Sequence, residues 1–143
     1  MGISPGFRDR LSGITCAKRV LTEPADTWVY GYDNSRKHAP PDVVVFATSH
    51  REVQDIVRLC HEHGVPVVAR GRGTATTGAA IPLRGGVVLS LERMNRILKV
   101  DPANRVIVVE PGVTNQAVQE AVAAHGFFWP PDPTSAAYCT VGG

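Results

Sequence analysis

The chain has 143 residues, 43% hydrophobic and 20% charged, with a formal net charge of +2. That is the make-up of one ordinary folded domain, able to bury roughly 70% of the surface its unfolded chain exposes, and it excludes gross disorder and fibrous repeats. Lysine and arginine are scattered without a basic run, which argues against nucleic acid. Cys16, Cys60 and Cys139 are too few and too far apart for a disulfide framework or a zinc or iron–sulfur site, so reduced thiols are expected. No apolar window approaches ~20 residues, and the first ten residues hold no apolar run. Neither a membrane span nor a signal peptide is expected, and the expected location is cytoplasmic, at most peripheral to a membrane.

Residues 1–40 are the least regular. Ser4 followed by Pro5 predicts a short helix through Leu11. Trp28, Tyr30 and Tyr32 alternate, which predicts an extended segment with three rings on one packing face. Residues 43–47 form an apolar run of strand length, and Ser49 with Glu52 has the capping-box spacing that starts a helix. Val53, Ile56, Val57 and Cys60 predict the buried stripe of that helix, and Gly64 its left-handed stop. Residues 65–69 predict a second buried strand, completing a βαβ unit with parallel strands.

Residues 87–91 and 97–100 are the next strands. Asp101, Pro102, Ala103 and Asn104 have turn chemistry, which predicts a hairpin from 97–100 into 106–109. Pro111 and Gly112 then turn the chain, and Thr114 caps a helix whose stripe is Val118, Ala121 and Val122 and which His125 and Gly126 end. Phe127, Phe128 and Trp129 follow as an apolar run, so the second half repeats the plan of the first. The predicted fold class is α+β of the α/β type, with βαβ units, one mixed sheet of about five or six strands, and two main helices.

Between the strands at 65–69 and 87–91 lies Arg70-Gly71-Arg72-Gly73-Thr74-Ala75-Thr76-Thr77-Gly78. Glycines let backbone N–H groups converge on an anion, hydroxyls donate further hydrogen bonds, and arginines supply charge to offset a pyrophosphate. A flexible glycine-rich surface loop is the plain alternative. Two familiar phosphate motifs fail here. A P-loop needs Gly-Lys before Ser or Thr, and no lysine occurs between Lys37 and Lys99. The dinucleotide fingerprint needs a third glycine where Thr76 stands, and Ile81-Pro82 then leads toward a strand, not a helix.

The same loop belongs to a longer series: Pro41-Asp42, then Val68 to Thr74, then Val109-Glu110-Pro111-Gly112-Val113, then Pro131-Asp132-Pro133-Thr134-Ser135, then Thr140-Val141-Gly142-Gly143. In order and spacing this series resembles the FAD-binding domain of the vanillyl-alcohol-oxidase or PCMH type of flavoprotein, in the branch of D-lactate dehydrogenases and the flavin subunit of glycolate oxidase. The resemblance covers residues 20–143. It implies that Arg70, Gly71, Arg72, Gly73, Thr74, Ala75, Thr77 and Gly78 surround the FAD pyrophosphate. Pro133, Thr134, Ser135, Thr140, Gly142 and Gly143 would form the next contacts toward the flavin, with Pro111 and Gly112 behind them. Ala75 and Ala79 stand where many relatives have glycine. Thr74 stands where covalently flavinylated relatives can carry histidine, so non-covalent FAD is expected.

The resemblance further implies oxidation of a 2-hydroxy acid such as D-lactate or glycolate, with hydride passing to the flavin and electrons leaving to a further acceptor. It leaves room for oligomers or partner subunits. Residues 1–40 are expected to be an N-terminal extension, and 41–143 an FAD-binding domain incomplete at its C-terminus. On that expectation the catalytic residues lie outside the chain, and the fragment alone is inactive. A nucleotide-binding module without chemistry and an interaction domain that keeps the fold are the alternatives. His61 and His63 sit two apart on a helix and point to different sides, as a solvated helix end and not a metal pair. Glu110 and Asp132, beside prolines at element ends, are read as caps before proton-transfer groups.

Overall fold

The computed structural model describes residues 3–142. Strand β2 (Val43–Phe46) is buried at every position, and so is β4 (Val87–Ser90), so both are interior strands. Each fully buried valine contributes on the order of 1.5–3 kcal/mol. Strand β3 (Val67–Arg70) leaves Ala69 exposed and lies at an edge. The sheet order is β1-β2-β4-β3, with β2, β4 and β3 parallel and β1 (Val20–Leu21) antiparallel on β2. The expected βαβ unit is therefore present, but β4 enters between its two strands, in the most buried place.

One sheet face carries the larger core, in which Val43, Val45, Val87 and Leu89 pack with α1 (Pro5–Ile14) and α3 (His50–Glu62). Ser4 Oγ caps α1 by accepting from the Phe7 N–H. Phe7 and Leu11 reach the core, and the helix continues past Leu11 to Ile14. Helix α3 buries Ile56, Leu59 and Cys60, while Val57 is 45% exposed. This corrects the predicted stripe. Val57 lies about 100° round the axis from Ile56, and Leu59 about 60° round on the other side, nearer the mean direction of the buried residues. Gly64 ends the helix at φ +62°.

The start of α3 is a variant of the expected capping box. Ser49 Oγ accepts from the Glu52 N–H at 3.3 Å, but the Glu52 carboxylate accepts from Thr48, not Ser49, at 2.8 Å. Arg19 grips that carboxylate with both terminal nitrogens, at 2.8 and 2.7 Å, and so ties β1 to the head of α3.

The aromatic triplet is not extended. Pro24 opens a helical turn, α2 (Pro24–Thr27), which runs into a 3-10 turn over Trp28–Tyr30, because proline's fixed φ favours a helix start. The rings diverge: Trp28 stacks on His38 at 3.9 Å, Tyr30 meets Phe46 edge-on at 5.5 Å, and Tyr32 is exposed. Tyr30, with Leu21 and Val68, packs on the smaller core of Val44, Phe46 and Val88 on the second sheet face.

The predicted hairpin is present as β5 (Ile97–Asp101) and β6 (Val106–Val109), but it forms a separate two-stranded sheet and does not extend the first. Helix α4 (Asn115–Ala123) is capped by Thr114 and buries Val118 and Val122. Residues 127–129 do not form the strand that a repeat of the first half requires. Gln119 accepts the Trp129 N–H at 2.9 Å and Asn115 accepts its indole N–H at 2.7 Å, which holds the segment along α4. Among the described residues no helix is long and apolar enough to cross a membrane.

Leu59→Ala is expected to cost about 2–5 kcal/mol in urea unfolding, and Val57→Ala about 0.5 kcal/mol or less. The Arg19 guanidinium, against an opposing effect of burial, holds the Glu52 carboxyl below the usual carboxylate range. Its contribution is complete above the unfolded value of about 4.3 and drains as pH falls through the folded one. Glu52→Gln should therefore lower the urea midpoint at neutral pH, and the gap should close as pH drops below about 4.

Candidate functional site

In an open parallel sheet, ligands bind beyond the carboxyl ends of the strands. Here those ends lead into residues 47–49 after β2, 71–78 after β3 and 91–94 after β4. The N–H groups at this edge differ in what they bond. At the head of α3 the Glu52 carboxylate and Ser49 hydroxyl already serve as acceptors. Away from this edge, at the head of α4 after the separate hairpin, the N–H groups of Asn115 and Gln116 are taken by the carbonyls of Cys139 and Ala136, both at 3.0 Å. In the glycine-rich loop, by contrast, no backbone N–H from Gly71 through Thr77 donates a hydrogen bond among the described residues, although the carbonyls of Thr74, Ala75 and Gly78 accept.

The loop is shaped from behind. Arg70 ends β3 opposite Ser90 and is 6% exposed. Its Nη1 donates to the Tyr32 carbonyl at 2.6 Å, its Nη2 to the Val29 carbonyl at 3.3 Å, and the guanidinium lies 5.6 Å from the Tyr30 ring centroid. Gly73 has φ +68°, and a Cβ there would collide with that guanidinium. Gly78, at φ +85°, is the second left-handed point. The Asn34 N–H donates to the Ala75 carbonyl at 2.9 Å and its side-chain amide to Thr74 at 3.5 Å. Both arginines were expected to face an anion; the structure turns Arg70 inward, where carbonyls accept its hydrogen bonds, and leaves Arg72 exposed.

Asp33 completes this backing. It is 3% exposed, and its Oδ1 accepts the Ser35 N–H at 2.9 Å in an Asx turn. Burial acts to raise its carboxyl, but Ser35 and the amides of Ala80 and Gly78 outweigh that and hold it below the usual range. Oδ2 makes no hydrogen bond within the limits of distance and angle that Oδ1 meets. Sequence reasoning gave Val29, Asp33 and Asn34 no role and placed Tyr32 only on a packing face. The signal was available in Asp33-Asn34-Ser35, which has Asx-turn composition.

The second expected group is assembled around Pro111. Gly112 fits against carbonyls of residues 91–94 and donates to Met94 at 2.7 Å. Thr140 bridges Thr114, Val141 donates to the Val113 carbonyl and Gly142 to the Pro111 carbonyl, each at 3.0 Å. Pro133, Thr134 and Gly142 are exposed, while Ser135 and Thr140 are half-buried; Gly143 lies outside the described residues. Among those residues no hydrogen bond joins 133–142 to 71–78; the Leu91 N–H donates to the Arg70 carbonyl, and Gly112 lies against the carbonyls of Leu91, Glu92 and Met94. Glu110 is a fastener: its carboxylate takes the Arg96 N–H at 2.8 Å and its guanidinium at 2.7 Å, and Arg96 keeps it below the usual carboxylate range. His63 contacts Arg10 at 2.8 Å and Phe7 edge-on.

The loop therefore fits a diphosphate: unpartnered amides, two left-handed glycines, threonine hydroxyls and an exposed arginine. Residues 41–143 match the family described as "FAD binding domain". Glycolate oxidase subunit GlcD of Bacillus subtilis (strain 168) is 40% identical over 142 residues, which is 99% of this chain and 30% of that protein. D-lactate dehydrogenase of Anaerostipes hadrus is 40% identical over 105 residues, 73% of this chain and 22% of the relative. The crystal structure of p-cresol methylhydroxylase with substrate bound superposes at a TM-score of 0.72 and 29% identity, over 87% of this chain and 26% of that one. The chain thus spans less than a third of each protein it resembles. It belongs to the FAD-binding domain family of the p-cresol-methylhydroxylase type, and its cofactor is FAD.

Proposed function

We propose that this chain holds FAD without a covalent bond, with the diphosphate against the amides of residues 71–77, as part of an oxidoreductase acting on a short 2-hydroxy acid of the D-lactate or glycolate class. The observation that carries this reading is the unpartnered run of N–H groups, set against the heads of α3 and α4, where side chains or carbonyls of the chain already accept. The relatives named glycolate oxidase subunit and D-lactate dehydrogenase supply the substrate class.

Bound flavin supplies the hydride acceptor, and the protein contributes position and local charge. Gly71, Gly73 and Gly78 let the main chain approach the diphosphate, and the Thr74 and Thr77 hydroxyls and the Ala75 amide add donors. Arg72 offsets the charge from the exposed side, while Arg70 works from within. Pro133, Thr134, Ser135, Thr140 and Gly142 continue the wall toward the ring system. Thr74 offers no imidazole for a covalent link.

The naturally produced protein should purify yellow, and acid precipitation should release all of its flavin into solution; a colourless protein that takes up no added FAD would refute the reading. Without oxygen, D-lactate or glycolate should bleach the visible absorption of the bound flavin, at about one substrate per flavin. Full flavin loading with no bleaching by either acid would reject the substrate class alone. Gly73→Val combines a β-branched side chain with a positive φ and a collision with Arg70, and FAD affinity should fall by about a hundredfold or more.

A further inference from the structure

A cation buried to 6% exposure with no carboxylate in ion-pair contact among the described residues is costly to keep, so its contacts should indicate a use. The Arg70 guanidinium binds the carbonyls of Val29 and Tyr32, at the two ends of the turn that leads into Asp33 and Asn34. Asn34 in turn holds the carbonyls of Ala75 and Thr74. In a trans peptide the C=O and the following N–H point in opposite directions. With the Thr74 and Ala75 carbonyls held toward Asn34, the N–H groups of Ala75 and Thr76 are turned away from it, to the open side of the loop.

Resting on the reading of 71–78 as the cofactor loop, we propose that Arg70 and the Asp33-Asn34 turn are positioning residues: a relay from a buried guanidinium through residues 29–34 aims the Ala75 and Thr76 amides at the diphosphate, which Arg70 itself never touches. The relay explains the glycine at 73, since the guanidinium fills the place of a Cβ. It also gives residues ahead of 41, outside the stretch matched by the family, a part in cofactor affinity. A lysine cannot replace Arg70 here, because one ammonium on a flexible stem does not reproduce a planar fork across two carbonyls.

The test uses the naturally produced protein with Arg70→Lys, which keeps the charge. FAD Kd should rise by about tenfold or more with its dependence on sodium chloride unchanged. In the flavin-free protein, amide exchange at Asn34 should accelerate by about tenfold or more while exchange in β2 and β4 stays as it was. Asp33→Ala opens the turn without removing Arg70; it should show the same pattern at about threefold or more, and it carries the test if the lysine variant does not fold. FAD binding within twofold of the unsubstituted protein, or weaker binding with Asn34 exchange unchanged, overturns the proposal. If the unsubstituted protein takes up no FAD, the cofactor reading fails, and exchange at Asn34 still decides whether Arg70 sets the loop.

Discussion

Every backbone N–H at the carboxyl edge of a parallel sheet needs an acceptor, and where the fold withholds one an external anion can supply it. That constraint sorts the exits of this sheet. The exit after β2 closes on itself, because Glu52 and Ser49 bring acceptors to the head of α3. The head of α4, which follows the separate hairpin sheet, is likewise closed, by main-chain carbonyls from residues 136 and 139. The exit after β3 has the Thr74 and Ala75 carbonyls held from behind by Asn34 and its amides left over, so the polarity of these peptides is set by which half the protein bonds.

The first forty residues share in that choice. Helix α1 places Phe7 and Leu11 in the main core, β1 closes one side of the sheet, and the turn over residues 28–34 presses on the back of the glycine-rich loop. Arg19 and Arg70 play parallel parts. Each crosses between the early residues and the sheet, one meeting a carboxylate and the other main-chain carbonyls. The difference suits their surroundings: Arg19–Glu52 forms a charge-assisted pair that fastens, whereas a guanidinium on carbonyls transmits the shape of a turn.

Sequence and structure agree most closely where a local signal has a single cause. Ser4-Pro5, Ser49 with Glu52, Thr114 and the glycines at 64 and 126 mark helix ends, because a cap or a left-handed residue acts within one turn of itself. The hairpin over Asp101 and Asn104 is of the same kind, with Asp101 accepting the Asn104 N–H. Disagreement begins where two segments compete. Val57 and Leu59 are equally apolar, and only the direction of the sheet beneath α3 selects Leu59. The rings at 28, 30 and 32 alternate as a strand would, yet Pro24 had already started helical turns.

The sequence by itself determined the capped helices, the parallel core strands, the hairpin and the loop whose composition suits a phosphate, since propensity, capping and glycine content act over a few residues. Tertiary structure decided that β4 lies between β2 and β3, that the hairpin stands as its own sheet, and that Arg70 points inward while Arg72 stays out. Those outcomes depend on which long-range partners reach a given atom. The Val29 and Tyr32 carbonyls are 41 and 38 residues from Arg70 along the chain, and no local pattern around Arg70 records that they will be there.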